Sequence, residues 1–448
     1  MIDQLASLTE FLWGGPLLIL MLGTGLYLTV RTGFFQLHVE YIYRNTIGTI
    51  FGKNAKEIKG EGNLKSFQCI STVLAGTVGS GTIAGVASAI AIGGPGSLFW
   101  MWCISFVGML TKMTEVTLAV NYRSKDEKGE YYGGPMYYIQ KGLGEKYKFL
   151  SKFYSIALLI LVITDATFVQ PNTLATSVHA VFGVPVLVTG IIAVVTSFFI
   201  IIGGVEKIGE FCGRIIPFMC IIYVIVALGV VIVTFEGIPA AFGLIFQYAF
   251  SPAPAVGGFV GSSVMMAMSK GAARGVFSNE AGMGTSTAIH STVITDHPVR
   301  QGMWGTIEVF VISFLVTNLT GFAIICTGYW DTGLTGAPLT IAAFHSVWGN
   351  FGTILVGLAI ATFTYSATLG SFIKYKTSIH YLFGKKAQKY LQWLYFVPPI
   401  IAVTLDTEFI WTMADIATCF LVIPNTIAIL ALSPVFIKLF KEFRRIEP

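Results

Sequence analysis

Eleven apolar segments, near residues 10–30, 68–93, 97–121, 151–180, 185–203, 212–234, 257–290, 302–328, 351–380, 389–404 and 410–439, make up most of the 448-residue chain. Runs of about 20 apolar residues match the hydrocarbon core of a bilayer. No water is available there to bond a free N–H or C=O, so only helices and closed barrels can span it. With 54% hydrophobic against 11% charged residues and a mean hydropathy of +0.74, the chain reads as an all-α polytopic membrane protein with eleven transmembrane helices. The first segment follows the acidic start "MIDQLASLTE" without a basic leader and is longer than a signal core, so it reads as a retained membrane helix. The six cysteines lie in or beside apolar segments without metal-ligand spacing and read as core filler.

The loops orient the helices. Residues 31–67 and 122–150 each hold six Lys or Arg, 381–392 hold Lys385, Lys386 and Lys389, and the tail carries Lys441, Arg444 and Arg445. Loops 93–97, 181–184, 235–255, 329–350 and 405–409 hold none. Basic loops collect on the cytoplasmic side, which predicts a plasma-membrane protein with its N-terminus outside and its C-terminus in the cytoplasm. The net charge of +5 then faces anionic lipid of the bilayer, and no nucleic-acid partner is implied.

Setting the first helix aside leaves ten, which divide into two groups of five. Residues 1–67 form an extra N-terminal helix and a basic loop, 68–235 a first repeat, and 236–448 a second repeat with a short basic tail. The first helix of each group is rich in glycine. "STVLAGTVGSGTIAGVASAIAIGG" (71–94) carries six, and the stretch 264–290 carries Gly271, Gly275, Gly282 and Gly284. Glycine weakens a helix by about 1 kcal/mol relative to alanine. Interrupted helices at matching positions of two halves point to an inverted-repeat transporter with a midplane site. A break leaves N–H groups and a positive helix end suited to a carboxylate, and carbonyls suited to an ammonium or a metal cation.

Four stretches, "AGTVGSGTIAGV" (75–86), "GGPGSLFWMW" (93–102), "GGPMYYIQKGL" (133–143) and "RGVFSNEAGMGTS" (274–286), resemble the alanine or glycine:cation symporter family of the amino acid–polyamine–organocation superfamily. The resemblance runs along nearly the whole chain. It implies sodium-coupled, sometimes proton-coupled, uptake of small neutral amino acids through a five-plus-five inverted-repeat, leucine-transporter-like core, with no cofactor besides the coupling ion. It also places a site. Amides around Val78, Gly79, Ser80 and Gly81, bounded by Thr77 and Thr82, would hold the substrate carboxylate. Thr167 and Gln170 would supply polar contacts, and carbonyls near Gly271, beside Lys270, would receive the ammonium. Phe277, Ser278 and Asn279 would open the second half of the second broken helix. Carbonyls of Ala75 and Val78, with hydroxyls in "FTYSATLGS" (363–371), would hold sodium, Ser366 foremost and Thr364 or Thr368 as a substitute for the hydroxyl missing at Ala367.

Three positions depart from the family pattern: Thr82 replaces an asparagine, Ala367 a hydroxyl residue and Ser371 a tryptophan. The last predicts a wider pocket. Asp165 and Lys270 are opposite charges near mid-helix. A lone charge at that depth costs at least about 3 kcal/mol, so the two are expected to form one compensated site beside the substrate. Their spacing to Gln170 raises an objection, because five positions turn a regular helix by about 140°. Lys112 and Glu115 read as a local pair, and Lys374 and Lys376 as snorkelling side chains. Glu280 reads as a cap or gate at the start of a half-helix, while Glu308 and Asp415 have no assignable partner. His290 and His297 flank an inner loop. "GSGTIAG" lacks the Gly-Lys-Ser/Thr ending of a phosphate loop, and no catalytic constellation appears, so an enzyme is not expected. A proton-coupled carrier using Lys270 is one alternative. A non-transporting sensor or a leak channel is another, and a sensor would need a soluble signalling domain for which the chain leaves no room.

Overall fold

The computed structural model describes residues 2–51 and 58–447, and it is mostly helical. α1 (Pro16–Arg31) is followed by α2 (Ser66–Thr77), α3 (Val86–Gly93) and α4 (Ser97–Asn121). Next come α5 (Lys148–Thr164), α6 (Gln170–Phe182), α7 (Val186–Ile202), α8 (Gly204–Val233) and α9 (Ile238–Phe250). The second half holds α10 (Val264–Asn279), α11 (Thr287–His290), α12 (Pro298–Val309), α13 (Asn318–Cys326), α14 (Gly336–Leu391) and α15 (Thr407–Ile446). Local chemistry sets several of the starts. Ser263 accepts the Met266 amide at 3.1 Å at the head of α10, and Asp406 accepts that of Phe409 at 2.9 Å before α15. His297 caps α12 with Pro298 in its first turn.

Seven helical stretches among the described residues are long and apolar enough to cross a membrane, eight when the bent pair Ser66–Thr77 and Gly81–Gly93 counts as one. The count of eleven is therefore not reproduced, for reasons of length and continuity. α7 and α10 have 17 and 16 residues. The segments expected at 351–380 and 389–404 run together in one helical stretch, Gly336–Ala402. Non-helical backbone at Gly349 and Gly384 divides α14.

Two helices lie side by side at the centre and run in opposite directions. α2 and α3 are bent by 51° across Val78–Ser80. The end of α3 meets the start of α10, where Ser262 donates its hydroxyl to the Gly93 carbonyl at 2.9 Å. The start of α2 lies beside α11: Asn63 and Leu64 donate to the Thr292 carbonyl, and Ile294 to that of Leu64. α4 packs along both α10 and α12, α6 packs on α14, and α15 on α5. The membrane-facing rim exposes large apolar side chains such as Phe199, Ile221, Ile225 and Phe246. Polar residues including Lys112, Glu308, Asn279, Ser366 and Lys374 are buried instead. A chain that turns apolar groups outward and polar groups inward is arranged for lipid.

Candidate substrate and cation site

The first break falls where the glycines predict it. Thr77 ends α2, Val78 leaves helical backbone (φ −75°, ψ 89°), and the helix resumes at Gly81 as a widened turn through Gly85. The Ser80 N–H, released by the break, donates to Oε1 of Gln170 at 3.0 Å. The Gly79 carbonyl accepts the Thr82 hydroxyl at 2.9 Å. Thr77 donates to the Val73 carbonyl and to Oε1 of Glu308. The Ser80 hydroxyl is buried and has no hydrogen-bond partner among the described residues.

Gln170 is positioned by its other end, since its Nε2 donates to Oδ1 of Asp165 at 2.7 Å. This contact resolves the objection of phase. Asp165–Val169 is a π-turn, whose i to i+5 bonding brings residues five apart into line. It also corrects the expected charge pair. No ion pair joins Asp165 to Lys270 among the described residues, because Gln170 already satisfies Asp165, and the ammonium whose field reaches Asp165 is that of Lys374. Lys270 is half-buried on α10. Thr167 turns its hydroxyl onto the Ile163 carbonyl of its own helix.

The second break is displaced from the expected position. Gly271 and Lys270 lie within the uninterrupted α10, and Phe277, Ser278 and Asn279 finish that helix instead of starting the next. A side chain at 271 would run into the Ser97 carbonyl of α4, so this glycine serves close packing. The turn itself is made by Glu280 (φ 56°), Gly282 (φ 88°) and Gly284 (φ 73°). Left-handed backbone there interrupts the helix between α10 and α11. Glu280 therefore caps the end of α10. Asn279 is fully engaged, donating to Ser105 and Ser313 at 3.0 and 2.9 Å and accepting from the Ala281 amide. Ser278 bonds the Gly275 carbonyl. Phe277 and the Ser278 backbone reach the first break, the Phe277 ring edge 2.9 Å and the Ser278 Cα 3.3 Å from where a Gly81 Cβ would stand.

Phe277, in contact with the first break, is backed by aromatic and charged side chains. Trp411 tilts against Phe277 at 5.3 Å, and the Arg274 guanidinium stacks on Trp411 at 4.7 Å. Arg274 also makes a two-pronged bond to Asp415 at 2.6 and 2.9 Å, so Asp415 has its partner. At the opposite end of the paired helices Arg123 donates to the carbonyls of Ser291, Val293 and Glu61 at 3.1, 2.8 and 2.6 Å, clamping the segment that follows α11 to the one that precedes α2.

On the cation side, Ala75 is buried in α2. Thr364 and Ser366 donate to the Ile360 and Phe363 carbonyls, which leaves oxygen lone pairs free for an ion. Ala367 and Ser371 are buried on the same helix. Hydroxyl and carbonyl oxygens are the hard donors an alkali cation takes. Among the described residues no group of His, Cys, Asp and Glu has the arrangement of a transition-metal site.

The buried charges of Lys112, Glu115, Glu308 and Lys374 all find partners, and the expected Lys112–Glu115 pair is not among them. Lys112 pairs with Glu308 at 3.1 Å and also bonds the Asn279 carbonyl at 3.1 Å, instead of pairing with Glu115. His290 lies against Glu308 at 3.1 Å, backed by Gln301 at 2.8 Å. Glu115 accepts from Asn425 at 2.5 Å. Lys374 bonds the Gly76 carbonyl at 3.1 Å and Glu280 at 2.6 Å, so it is buried and does not snorkel. Lys376 instead reaches Glu130 at 2.9 Å. Charge inside an apolar segment was the available signal for each, but it names no partner.

With this geometry established, a family model described as the sodium:alanine symporter family matches residues 1–447. The chain belongs to that family. It is 36% identical over 453 residues to the sodium/alanine symporter AgcS of Methanococcus maripaludis, spanning 98% of this chain and 97% of the relative. It is 38% identical over 441 residues to the transporter YflA of Bacillus subtilis, spanning 97% and 92%. Among solved structures it resembles MhsT in complex with L-phenylalanine, with a TM-score of 0.61 at 14% identity over 83% of this chain and 89% of MhsT. The fold is therefore the leucine-transporter-like one, and this member of the family is an integral membrane amino acid symporter, not an enzyme.

Proposed function

We propose that this family member imports small neutral amino acids with sodium, binding both near the midplane between the two broken helices and alternating access around them. The carrying observation is the Ser80 N–H at the first break, met by the neutral carboxamide of Gln170. A carboxylate is a stronger acceptor for that amide than a carboxamide, so a substrate can displace Gln170 and keep Asp165 satisfied through its other end. Phe277 and Trp411 form an apolar lid over the side chain. Breaking Arg274–Asp415 opens one end, and releasing Arg123 opens the other. With the basic loops inside, the Arg274 end faces outward.

Sodium coupling draws support from Ala75, Val78, Thr364 and Ser366 as oxygen donors and from the sodium/alanine symporter among the relatives. The two repeats, 68–235 and 236–448, supply one broken helix each. Uptake of a radiolabelled amino acid panel into proteoliposomes, with sodium and proton gradients imposed separately, tests the reading. Alanine-sized substrates moving with the sodium gradient is the expected result; no uptake of any neutral amino acid refutes it.

Selectivity should extend past alanine to serine, threonine, valine or leucine, because Ser371 stands where a tryptophan is usual. Ser371→Trp is expected to reduce uptake of the larger substrates at least tenfold more than that of glycine. A wild-type protein that already rejects everything above alanine defeats this argument from volume.

A further inference from the structure

Lys374 joins the two broken helices. One turn before it, Gly370 of α14 lies against Gly76 of α2 so closely that a Cβ at 370 would stand 2.8 Å from the Gly76 backbone. Such backbone contact needs small residues on both sides, and it carries the lysine to the first break. The ammonium lies 3.1 Å from the Gly76 carbonyl and 2.6 Å from the Glu280 carboxylate. The two side chains of this ion pair are 3% and 6% exposed. Glu280 belongs to the turn of the second break, and its other oxygen accepts the Thr285 hydroxyl. One positive charge thus satisfies an acceptor from each broken helix. Ala75 and Val78, the candidate carbonyl donors to a metal cation, lie within two residues of Gly76, and the candidate hydroxyls of Thr364 and Ser366 lie on the same helix as the lysine.

We propose that Lys374 is a tethered cation that serves in place of one coupling ion, so that this chain closes its broken helices around a charge of its own and binds one sodium ion fewer than it would with a neutral residue at 374. The inference rests on the symporter reading. An ammonium and a sodium ion compete for the same hard oxygens and repel each other at this range. While the lysine occupies the Gly76 carbonyl and the Glu280 carboxylate, those groups are closed to sodium. Removing the ammonium leaves a carboxylate and a carbonyl facing each other from the two breaks, with a vacated volume the length of a lysine side chain. That is a donor set a sodium ion can take.

The test is equilibrium binding of radioactive sodium to the purified full-length chain in detergent, with no transport step. Lys374→Gln is expected to bind about one sodium ion per chain more than wild type, and the sodium dependence of its amino acid uptake should steepen by about one in Hill slope. Lys374→Gln/Glu280→Gln should return to the wild-type count, because the carboxylate ligand is lost. An unchanged count in Lys374→Gln overturns the proposal, as does a raised count that persists in the double variant. If Lys374→Gln does not yield folded protein, Lys374→Ser, which leaves room and a hydroxyl, carries the same two expectations. A wild-type protein that moves no amino acid sinks the symporter reading; the sodium count decides the role of Lys374 independently of that result.

Discussion

Gly81→Val is expected to abolish amino acid binding and uptake, with an affinity loss of at least 100-fold, or about 3 kcal/mol. A Cβ at 81 would stand 2.9 Å from the Phe277 ring and 3.3 Å from the Ser278 Cα. The ring cannot swing away, because Trp411 backs it at 5.3 Å, and Ser278 Cα is backbone inside α10. The added bulk therefore forces the two broken helices apart at their contact, beside which the substrate would lie in the proposed site. Gly79→Ala provides the contrast. The atoms nearest its Cβ belong to the Gln170 carboxamide, the closest at 2.7 Å, a side-chain end that can shift at the expense of its bonds to Ser80 and Asp165. The expected loss there is about tenfold. Equilibrium binding of the best wild-type substrate measures both, and wild-type affinity in Gly81→Val would place the substrate elsewhere.

Lys112→Met should unfold the protein more readily than any single polar substitution at the surface, by about 3–5 kcal/mol. Lys112 and Glu308 are both fully buried, and the ammonium also holds the carbonyl of Asn279 at the end of α10. Removing it strands the Glu308 carboxylate, which is left with the Thr77 hydroxyl and His290. Because desolvation of the stranded charge dominates the loss, Lys112→Met/Glu308→Gln should recover more than half of it. Thermal midpoints followed by tryptophan fluorescence in detergent make the comparison. A double variant no better than the single one means that packing of the lysine stem, and not the stranded charge, sets the loss. The cluster joins the end of α2 to α10, α11 and α12, so its loss should loosen both breaks together.

How far the sequence reaches can be judged residue by residue. The membrane class and the first break at Val78–Ser80 were legible, because an apolar run and a glycine cluster act through local backbone physics. Gln170 facing the first break was also legible, through a family motif. The second break was placed too early. Gly271 and Gly284 are the same letter, but one is a packing contact with α4 and the other turns the chain at φ 73°, and only the fold distinguishes these uses.

The charges show the boundary most clearly. The placement of Asp165, Lys112, Glu308 and Lys374 inside apolar segments is a property of the sequence, and so is the need of each for a partner. Which partner is chosen depends on elements far apart in the chain, as with Lys374 and Glu280, 94 residues apart. The sequence pointed to Lys270 as the compensating lysine because that residue sits in the glycine-rich segment. Tertiary structure gave Asp165 to Gln170 and placed a different lysine, Lys374, between the breaks, because the Gly370–Gly76 contact brings α14 against the first break, and a hydrogen bond of 2.6 Å needs that proximity whatever the spacing along the chain. Local periodicity, composition and motif determined that this protein crosses the membrane and carries a broken-helix site. Long-range packing decided how its buried charges are paired.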